Sequence, residues 1–307
     1  MSRYNPEKAL TKASLLASQE QLFRCPICKS SMRVNRLSSL ECGKGHCFDI
    51  SKQGYVHLLP RPSKSRYDKS LFASRSLISN SGFFDPMIEY VCDLLIRRWD
   101  SRPRIQTLLD AGCGEGSHLR SIIRQLEEKS GQKRYLGTGI DIAKEGIQLA
   151  SKASPDLIWC VADLANSPFS DRRFNAILNI LSPSNYAEFG RLLTEDGVLI
   201  KVIPGNSYLQ ELRELLYGRK SRERDSSGHT IELFCRYFEL IETKEIRYRK
   251  RLNPEQSGLL VHMTPLSWGA SPEFKMSGNL PGELEVTVDF TVLYGKPKPA
   301  PAVGESM

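Results

Sequence analysis

From residue 104 onward, short apolar runs alternate with segments whose apolar residues recur every three to four positions. "IQTLLDAG" reads as a buried strand ending at a glycine loop, and "HLRSIIRQLEEKSG" as an amphipathic helix closed by Gly131. "YLGTGID" predicts a second strand and "AKEGIQLASKAS" a second helix. "LIWCVAD", "FNAILNIL" and "GVLIKVIP" supply further strands, with "YAEFGRLLTEDG" as the helix and turn before the last of them. Strands separated by helices of this length predict βαβ units, hence an α/β, Rossmann-like domain whose sheet is mostly parallel and covered on both faces. Upstream, "DPMIEYVCDLLIRRW" sets Met87, Ile88, Val91, Leu94 and Leu95 at helical spacing behind Asp85 as cap and Pro86 at the first position. Downstream, "ELEVTVDFTVLYG" alternates over a long stretch and predicts an antiparallel edge strand.

Ahead of this domain the pattern changes. Residues 1–22 show no strong period and read as a tail or frayed helix; a cysteine-rich module follows over 23–60. "PRPSKSRYDKS" opens a basic linker over 61–80, the α/β domain spans 81–295, and the proline-rich end, 296–307, reads as disordered. A chain of 307 residues has room for such a division. With 40% hydrophobic and 25% charged residues the composition is that of a soluble globular protein, and no window approaches the roughly 20 apolar residues of a membrane span. The first 24 residues lack the apolar run of a signal peptide, so a cytoplasmic location is expected, where thiols stay reduced and clustered cysteines suggest metal before disulfide.

Four of the eight cysteines fall within "CPICKSSMRVNRLSSLECGKGHC". Cys25 and Cys28 form one knuckle; Cys42 with His46 forms another, Cys47 competing with His46 for the fourth position. Two such turns facing each other complete a tetrahedral Zn²⁺ shell with no open position, which makes the metal structural. Cys92, Cys113, Cys160 and Cys235 lack metal spacing and read as small buried side chains.

"LLDAGCGEGSHL" places Gly112, Gly114 and Gly116 immediately after a strand and at the mouth of a helix, a turn that lets a ligand approach the backbone. Asp110 at the strand end and Glu115 in the loop decide which ligand. Two carboxylates would repel the pyrophosphate of a dinucleotide but attract an ammonium group. S-adenosylmethionine, with its amino group and cationic sulfonium, fits. Asp141 ends the next strand, where an acid accepts from ribose hydroxyls, and Asp163 ends the third, near the adenine position. Taken singly, Asp141 has the alternative reading of a helix cap and Asp163 that of a turn residue; together with the loop they point to cofactor binding.

With both motifs in view the chain resembles the bacterial 23S rRNA (guanine-N1)-methyltransferases, which modify a guanine in hairpin 35. The likeness runs from about Phe23 to Leu293 through "FRCPICKSS", "ECGKGHCFDISKQGYVHLLP", "SGFFDPM", "LLDAGCGEGSHL", "GIDIAKEGIQLA", "ILSPSNYAEFGRLL", "IKVIPGNSYLQELREL" and "HMTPLSW". It implies zinc on Cys25, Cys28, Cys42 and His46, favouring His46 over Cys47. It implies cofactor contacts at Gly114 and Glu115, with further ones near Phe84 and Tyr208, where relatives often carry tyrosine and histidine. It also implies 23S rRNA as partner and a homodimer. The wording "YDKSLFASRSLISNSGFF" and "SPSNYAEF" looks more like the Gram-positive branch associated with tylosin resistance.

Guanine N1 carries a proton at neutral pH, which must leave before or as N1 attacks the sulfonium methyl and the S–CH3 bond breaks. Most of the catalysis comes from alignment, with a base adding roughly 10²- to 10⁴-fold. The loop "NILSPSNY" lies where methyltransferases of this architecture hold the target base, making Asn179, Ser182, Asn185 and Tyr186 candidates. Tyr186 reads either as a stacking platform for a flipped base or as helix packing. A net charge of +8 favours an anionic partner. Basic residues bunch at Arg61, Lys64, Arg66, Lys69 and Arg75, at Arg219, Lys220, Arg222 and Arg224, and at Arg247, Arg249, Lys250 and Arg251. Two other classes fit less of the pattern: an S-adenosylmethionine-dependent methyltransferase acting on another RNA, a small molecule or a protein, and a non-catalytic RNA-binding assembly factor.

Overall fold

The computed structural model describes residues 13–61, 67–99, 105–131, 135–218, 226–266 and 282–298. Helix α1 (13–18) precedes a small antiparallel sheet of β1 (Met32–Asn35), β2 (Ser39–Cys42) and β3 (Cys47–Asp49), followed by β4 (Val56–His57). Next come α2 (Lys69–Asn80), α3 (Asp85–Trp99), β5 (Gln106–Ala111), α4 (Ser117–Ser130), β6 (Tyr135–Asp141), α5 (Lys144–Ala153) and β7 (Ile158–Val161). The remainder forms β8 (Phe174–Ile180), α6 (Tyr186–Leu192), β9 (Leu193–Pro204), α7 (Gln210–Tyr217), α8 (Ser226–Tyr237), β10 (Phe238–Leu252), α9 (Pro254–Met263) and β11 (Leu284–Pro297).

The large sheet has the order β10-β11-β9-β8-β5-β6-β7-β4, parallel from β4 to β9, with β11 and β10 antiparallel. Its centre is Leu108, Leu109 and Ala111 of β5 against Ala176, Ile177 and Leu178 of β8, all fully buried, as expected of parallel strands covered on both faces. The chain runs outward from β5 to β7 and returns on the other side of β5 as β8. That reversal opens a crevice beyond the carboxyl ends of β5 and β8, where ligands of such sheets bind.

Three expectations need correction. β11 is not an edge: it lies between β9 and β10, and the edge strand is β10. The bunch Arg247, Arg249, Lys250 and Arg251 belongs to β10: Arg247, Arg249 and Arg251 are exposed, like charges that guard an edge strand against pairing with other chains, whereas Lys250 is half-buried and donates to Ser81 O and Gly82 O, each at 3.2 Å. The linker is a helix from Lys69 on. Asp68 caps α2 by accepting from Leu71 N at 2.8 Å, and Leu71, Phe72, Ser74 and Ile78 are buried; residues 62–66, with Lys64 and Arg66, lie outside the described residues. Of the two readings of the N-terminal segment, the helical one matches residues 13–18, which form α1 with Ala13 and Leu16 buried, while 1–12 lie outside the described residues. The C-terminal tail begins later than expected, because β11 runs to Pro297 and Lys298 N donates to Tyr237 O at 3.0 Å. Residues 299–307, and the bunch Arg219, Lys220, Arg222 and Arg224, lie outside the described residues.

The cysteine-rich module does not stand apart. β4 adds a parallel strand beside β7, with Val56 opposite Cys160 and His57 opposite Val161. The rings of Phe23 and Phe169 lie 5.7 Å apart, and Arg24 pairs with Asp171 at 3.2 Å. Leu16, Leu22 and Phe23 share one apolar cluster with Ile158, Cys160 and Phe169, so module and domain bury a common core. No helix among the described residues is long and apolar enough to cross a membrane.

Candidate active site and metal cluster

The glycine loop folds as the sequence suggests. Gly112, Gly114 and Gly116 all have left-handed backbones, with φ of 85°, 56° and 80°. Space as well as φ demands glycine: a Cβ on Gly116 would stand 2.4 Å from Trp159 Cη2, and one on Gly112 only 2.6 Å from Ser182 Oγ. Asp141 braces the loop. Its Oδ2 accepts from Gly114 N and its Oδ1 from Ala143 N, each at 2.8 Å.

Beneath the loop three carboxyl groups converge. Asp110 is 1% exposed and Glu115 4%. Burial, then the charges of Asp141 and Glu115, push the Asp110 carboxyl up to about 8, and burial likewise raises Glu115 and Asp141. Asp110 Oδ2 is buried without a hydrogen-bond partner among the described residues, although buried oxygens are almost always satisfied. An ammonium group would satisfy it and neutralise the repulsion, so this donor set fits the methionine end of S-adenosylmethionine. A dinucleotide pyrophosphate would worsen both. Ile142, 41% exposed directly after Asp141, and Leu164, whose Cδ1 is 3.8 Å from a Cβ position on Gly112, offer apolar surface at the same rim. Asp163 instead caps the turn Leu164–Asn166, accepting from Ala165 N at 2.8 Å.

Phe84 and Tyr208 meet across Phe290 of β11, with ring centroids 6.1 and 5.1 Å from it. Phe84 also stands edge-on to His118 at 4.7 Å. Burial pushes His118 down to about 4, which keeps the ring neutral, and raises the Tyr208 hydroxyl.

The loop after β8 is held from within. Asn179 Nδ2 reaches Ala111 O at 2.8 Å and Pro183 O at 3.0 Å, and its Oδ1 accepts from Ser184 Oγ at 2.7 Å and from Lys201 Nζ at 2.6 Å. Ser182 Oγ donates to Ala111 O at 2.7 Å. Asn185 caps α6 by accepting from Glu188 N at 3.1 Å. Tyr186 is buried among Phe189, Phe234, Tyr237 and Phe238, which is packing geometry. Accordingly Tyr186→Phe is expected to leave activity near its original level, while Tyr186→Ala should cost about 3–5 kcal/mol of stability by opening a cavity. Thermal unfolding beside methyl-transfer assays checks this: a stable Tyr186→Ala protein with weakened RNA binding would restore the stacking role.

Sequence reasoning missed Lys201, which is 4% exposed on β9 beside Asn179 and donates to Ser182 O at 2.5 Å as well. Burial lowers its amine to about 8. The available signal was a lone lysine inside the apolar run "VLIKVI".

The cysteine knuckles converge as expected. The ligand atoms of Cys25, Cys28, Cys42 and His46 all lie within 4.8 Å of one another. Cys25 Sγ and Cys42 Sγ stand 3.5 and 3.4 Å from His46 Nδ1, and Cys28 Sγ 3.6 Å from Cys42 Sγ. Metal–ligand bonds of about 2.0–2.3 Å give tetrahedral edges of this size, so the four atoms fit one closed zinc-like shell. Ser30 Oγ, 3.0 Å from Cys28 Sγ, helps pull that thiol down to about 6. Cys47 is exposed on β3, its Sγ toward Glu41 Oε1 at 3.6 Å, outside the cluster.

Sheet, switch-point crevice and glycine loop define a methyltransferase domain, and residues 108–197 match the family described as "Methyltransferase domain". Residues 23–66 match "RlmA, N-terminal", a zinc-ribbon family. The chain is 44% identical to the YxjB protein of Bacillus subtilis (strain 168), named as a 23S rRNA (guanine-N(1)-)-methyltransferase, over 89% of this chain and 96% of that one. It is 31% identical to the 23S rRNA (guanine(748)-N(1))-methyltransferase of Streptomyces fradiae, over 90% of this chain and 97% of that one. A Micromonospora griseorubida protein also named as a 23S rRNA (guanine-N(1)-)-methyltransferase is 27% identical over 81% and 88%. The chain belongs to the 23S rRNA (guanine-N1)-methyltransferase family.

Proposed function

We propose that this protein transfers a methyl group from S-adenosylmethionine to N1 of a guanine in hairpin 35 of 23S rRNA, and that Zn²⁺ on Cys25, Cys28, Cys42 and His46 holds its N-terminal module. The observation that carries this is likeness to YxjB over 89% of this chain and 96% of that one, module and catalytic domain together, around a buried acidic cradle in which Asp110 Oδ2 has no partner among the described residues. Likeness to the Streptomyces fradiae protein favours guanine 748, and the stretches "YDKSLFASRSLISNSGFF" and "SPSNYAEF" favour the branch associated with tylosin resistance. A cytoplasmic location and a homodimer belong to the same reading by family likeness.

The cofactor supplies an electrophilic methyl group on a cationic sulfonium. Asp110 and Glu115 hold its ammonium end, Gly112 and Gly114 let the backbone approach, and Phe84 and Tyr208 wall the other side. Asp141 ties the glycine loop to β6 while leaving lone pairs for ribose hydroxyls. The Asn179–Lys201–Ser182 network fixes the loop after β8 against Ala111, so that the surface meeting the base is rigid relative to the glycine loop. Such positioning is the main source of rate in methyl transfer.

Arg33, Arg36, Lys44 and Lys52 are exposed on the module and are proposed to grip the hairpin phosphates. Deleting residues 1–60 would be a poor test, because it strips β4, Leu16, Leu22 and Phe23 from the shared core. Changing the four basic residues to Ala keeps the fold. Binding of a hairpin 35 transcript should then weaken and its salt slope fall by up to about 0.9 per lost contact. An unchanged slope would place the RNA elsewhere.

A further inference from the structure

Arg75 reads in the sequence as one of a bunch of surface charges, and the fold lays it over the glycine loop. Its Nη1 lies 3.3 Å from where a Cβ on Gly114 would stand, with Phe72 Cε1 at 3.4 Å. The guanidinium sits over the rings of Tyr67 and Phe72, 5.9 and 5.6 Å from their centroids, contacts that hold the plane and leave its edges free. Among the described residues its hydrogen bond is a long one, Nη2 to Met263 O at 3.4 Å. Among the described residues no carboxylate oxygen comes within 4.0 Å of it, although buried carboxyls surround the loop. Its field nevertheless reaches the site. Burial raises Glu115 and Asp141, and the Arg75 charge works against that rise; the same charge disfavours protonation of His118.

A methionine end is zwitterionic. Asp110, Glu115 and Asp141 suit its ammonium and would expel its carboxylate unless a cation stood opposite. We propose that Arg75 is the ligand for the cofactor's α-carboxylate, gripping it from α2 while Asp110 and Glu115 take the ammonium from the loop. This rests on S-adenosylmethionine being the cofactor. A guanidinium suits the task because its planar fork matches a carboxylate with two parallel donors. His118, whose Nε2 is buried without a partner among the described residues, is a second, uncharged donor at the same end when that nitrogen carries the proton. α2 thus covers the cofactor, and the stretch first read as a linker becomes part of the binding site.

Calorimetric binding to the full chain separates this role from others, with S-adenosylmethionine, its decarboxylated form and 5′-methylthioadenosine as probes. The unchanged protein should prefer S-adenosylmethionine over the decarboxylated form by about 10- to 100-fold, the range for a charge-assisted contact. In Arg75→Met that preference should vanish or invert, with 5′-methylthioadenosine affinity unaltered; Arg75→Lys should keep part of it. Equal weakening toward all three probes would make Arg75 a structural strut, and no weakening would leave it facing RNA; either result overturns the proposal. Failure of the unchanged protein to bind any of the three would instead remove the cofactor reading itself.

Discussion

Asp110→Asn is expected to stabilise the ligand-free protein while abolishing tight cofactor binding. Asp110 has a folded-state value of about 8, far above the roughly 3.9 of an unfolded aspartate. A raised carboxyl value means that the folded state binds the proton more tightly than the unfolded one. The penalty is therefore absent below pH ~4, grows as pH rises, and is complete above pH ~8. Its ceiling is about 5 kcal/mol for a fully buried group. Asparagine never ionises, so the stability gap between variant and parent should widen steadily from pH 4 to pH 8 in chemical unfolding. Cofactor affinity should fall at least about 10- to 100-fold, since an ammonium loses its charged partner. In the parent protein, binding should release protons, because an ammonium beside Asp110 favours the carboxylate. A gap that stays constant with pH would mean that Asp110 is not the strained group.

The second large effect concerns the module. Cys28→Ser or Cys42→Ser is expected to lose bound zinc and to lower the unfolding midpoint sharply, because structural zinc contributes folding free energy directly, about 10–16 kcal/mol in small zinc-binding peptides. Damage should spread beyond the knuckles, since Leu16, Leu22, Phe23 and Val56 share the core with Ile158, Cys160 and Phe169. Cys47→Ser, exposed on β3, should retain a full equivalent of zinc and change stability by no more than about 0.5 kcal/mol. Metal analysis and thermal unfolding of the three variants check this together. Zinc loss in Cys47→Ser would give the fourth position to Cys47 rather than His46.

These two sites were the most legible parts of the sequence. Ligand spacing fixes a metal knuckle locally, and a glycine loop between strand and helix fixes the position of Asp110 within its own βα unit. The alternation of strands and helices from residue 104 to β9 was readable for the same reason, because each element buries an apolar face at its own period. β10 was not, because an edge strand carries charges at the positions where a strand pattern shows apolar residues. α2 was masked by the proline, serine and basic residues just before it, although Asp68 already supplied a cap. Arg75 and Lys201 gain their roles only from tertiary placement: one is laid over a loop far along the chain, the other driven into a sheet whose strand ends need closing. The same need turned Asn179 and Ser182, read as base-facing, into the network that joins β8 to β5.

Primer extension on large-subunit rRNA from cells with and without the gene tests the proposed activity most directly. Methylation of guanine N1 removes a Watson–Crick donor and halts reverse transcriptase. A stop at a hairpin 35 guanine, at position 748 by likeness to the Streptomyces fradiae protein, should appear only when the gene is present and vanish when the encoded protein carries Asp110→Asn. Unhindered extension through hairpin 35 with the gene intact, or a stop that survives its deletion, would contradict it.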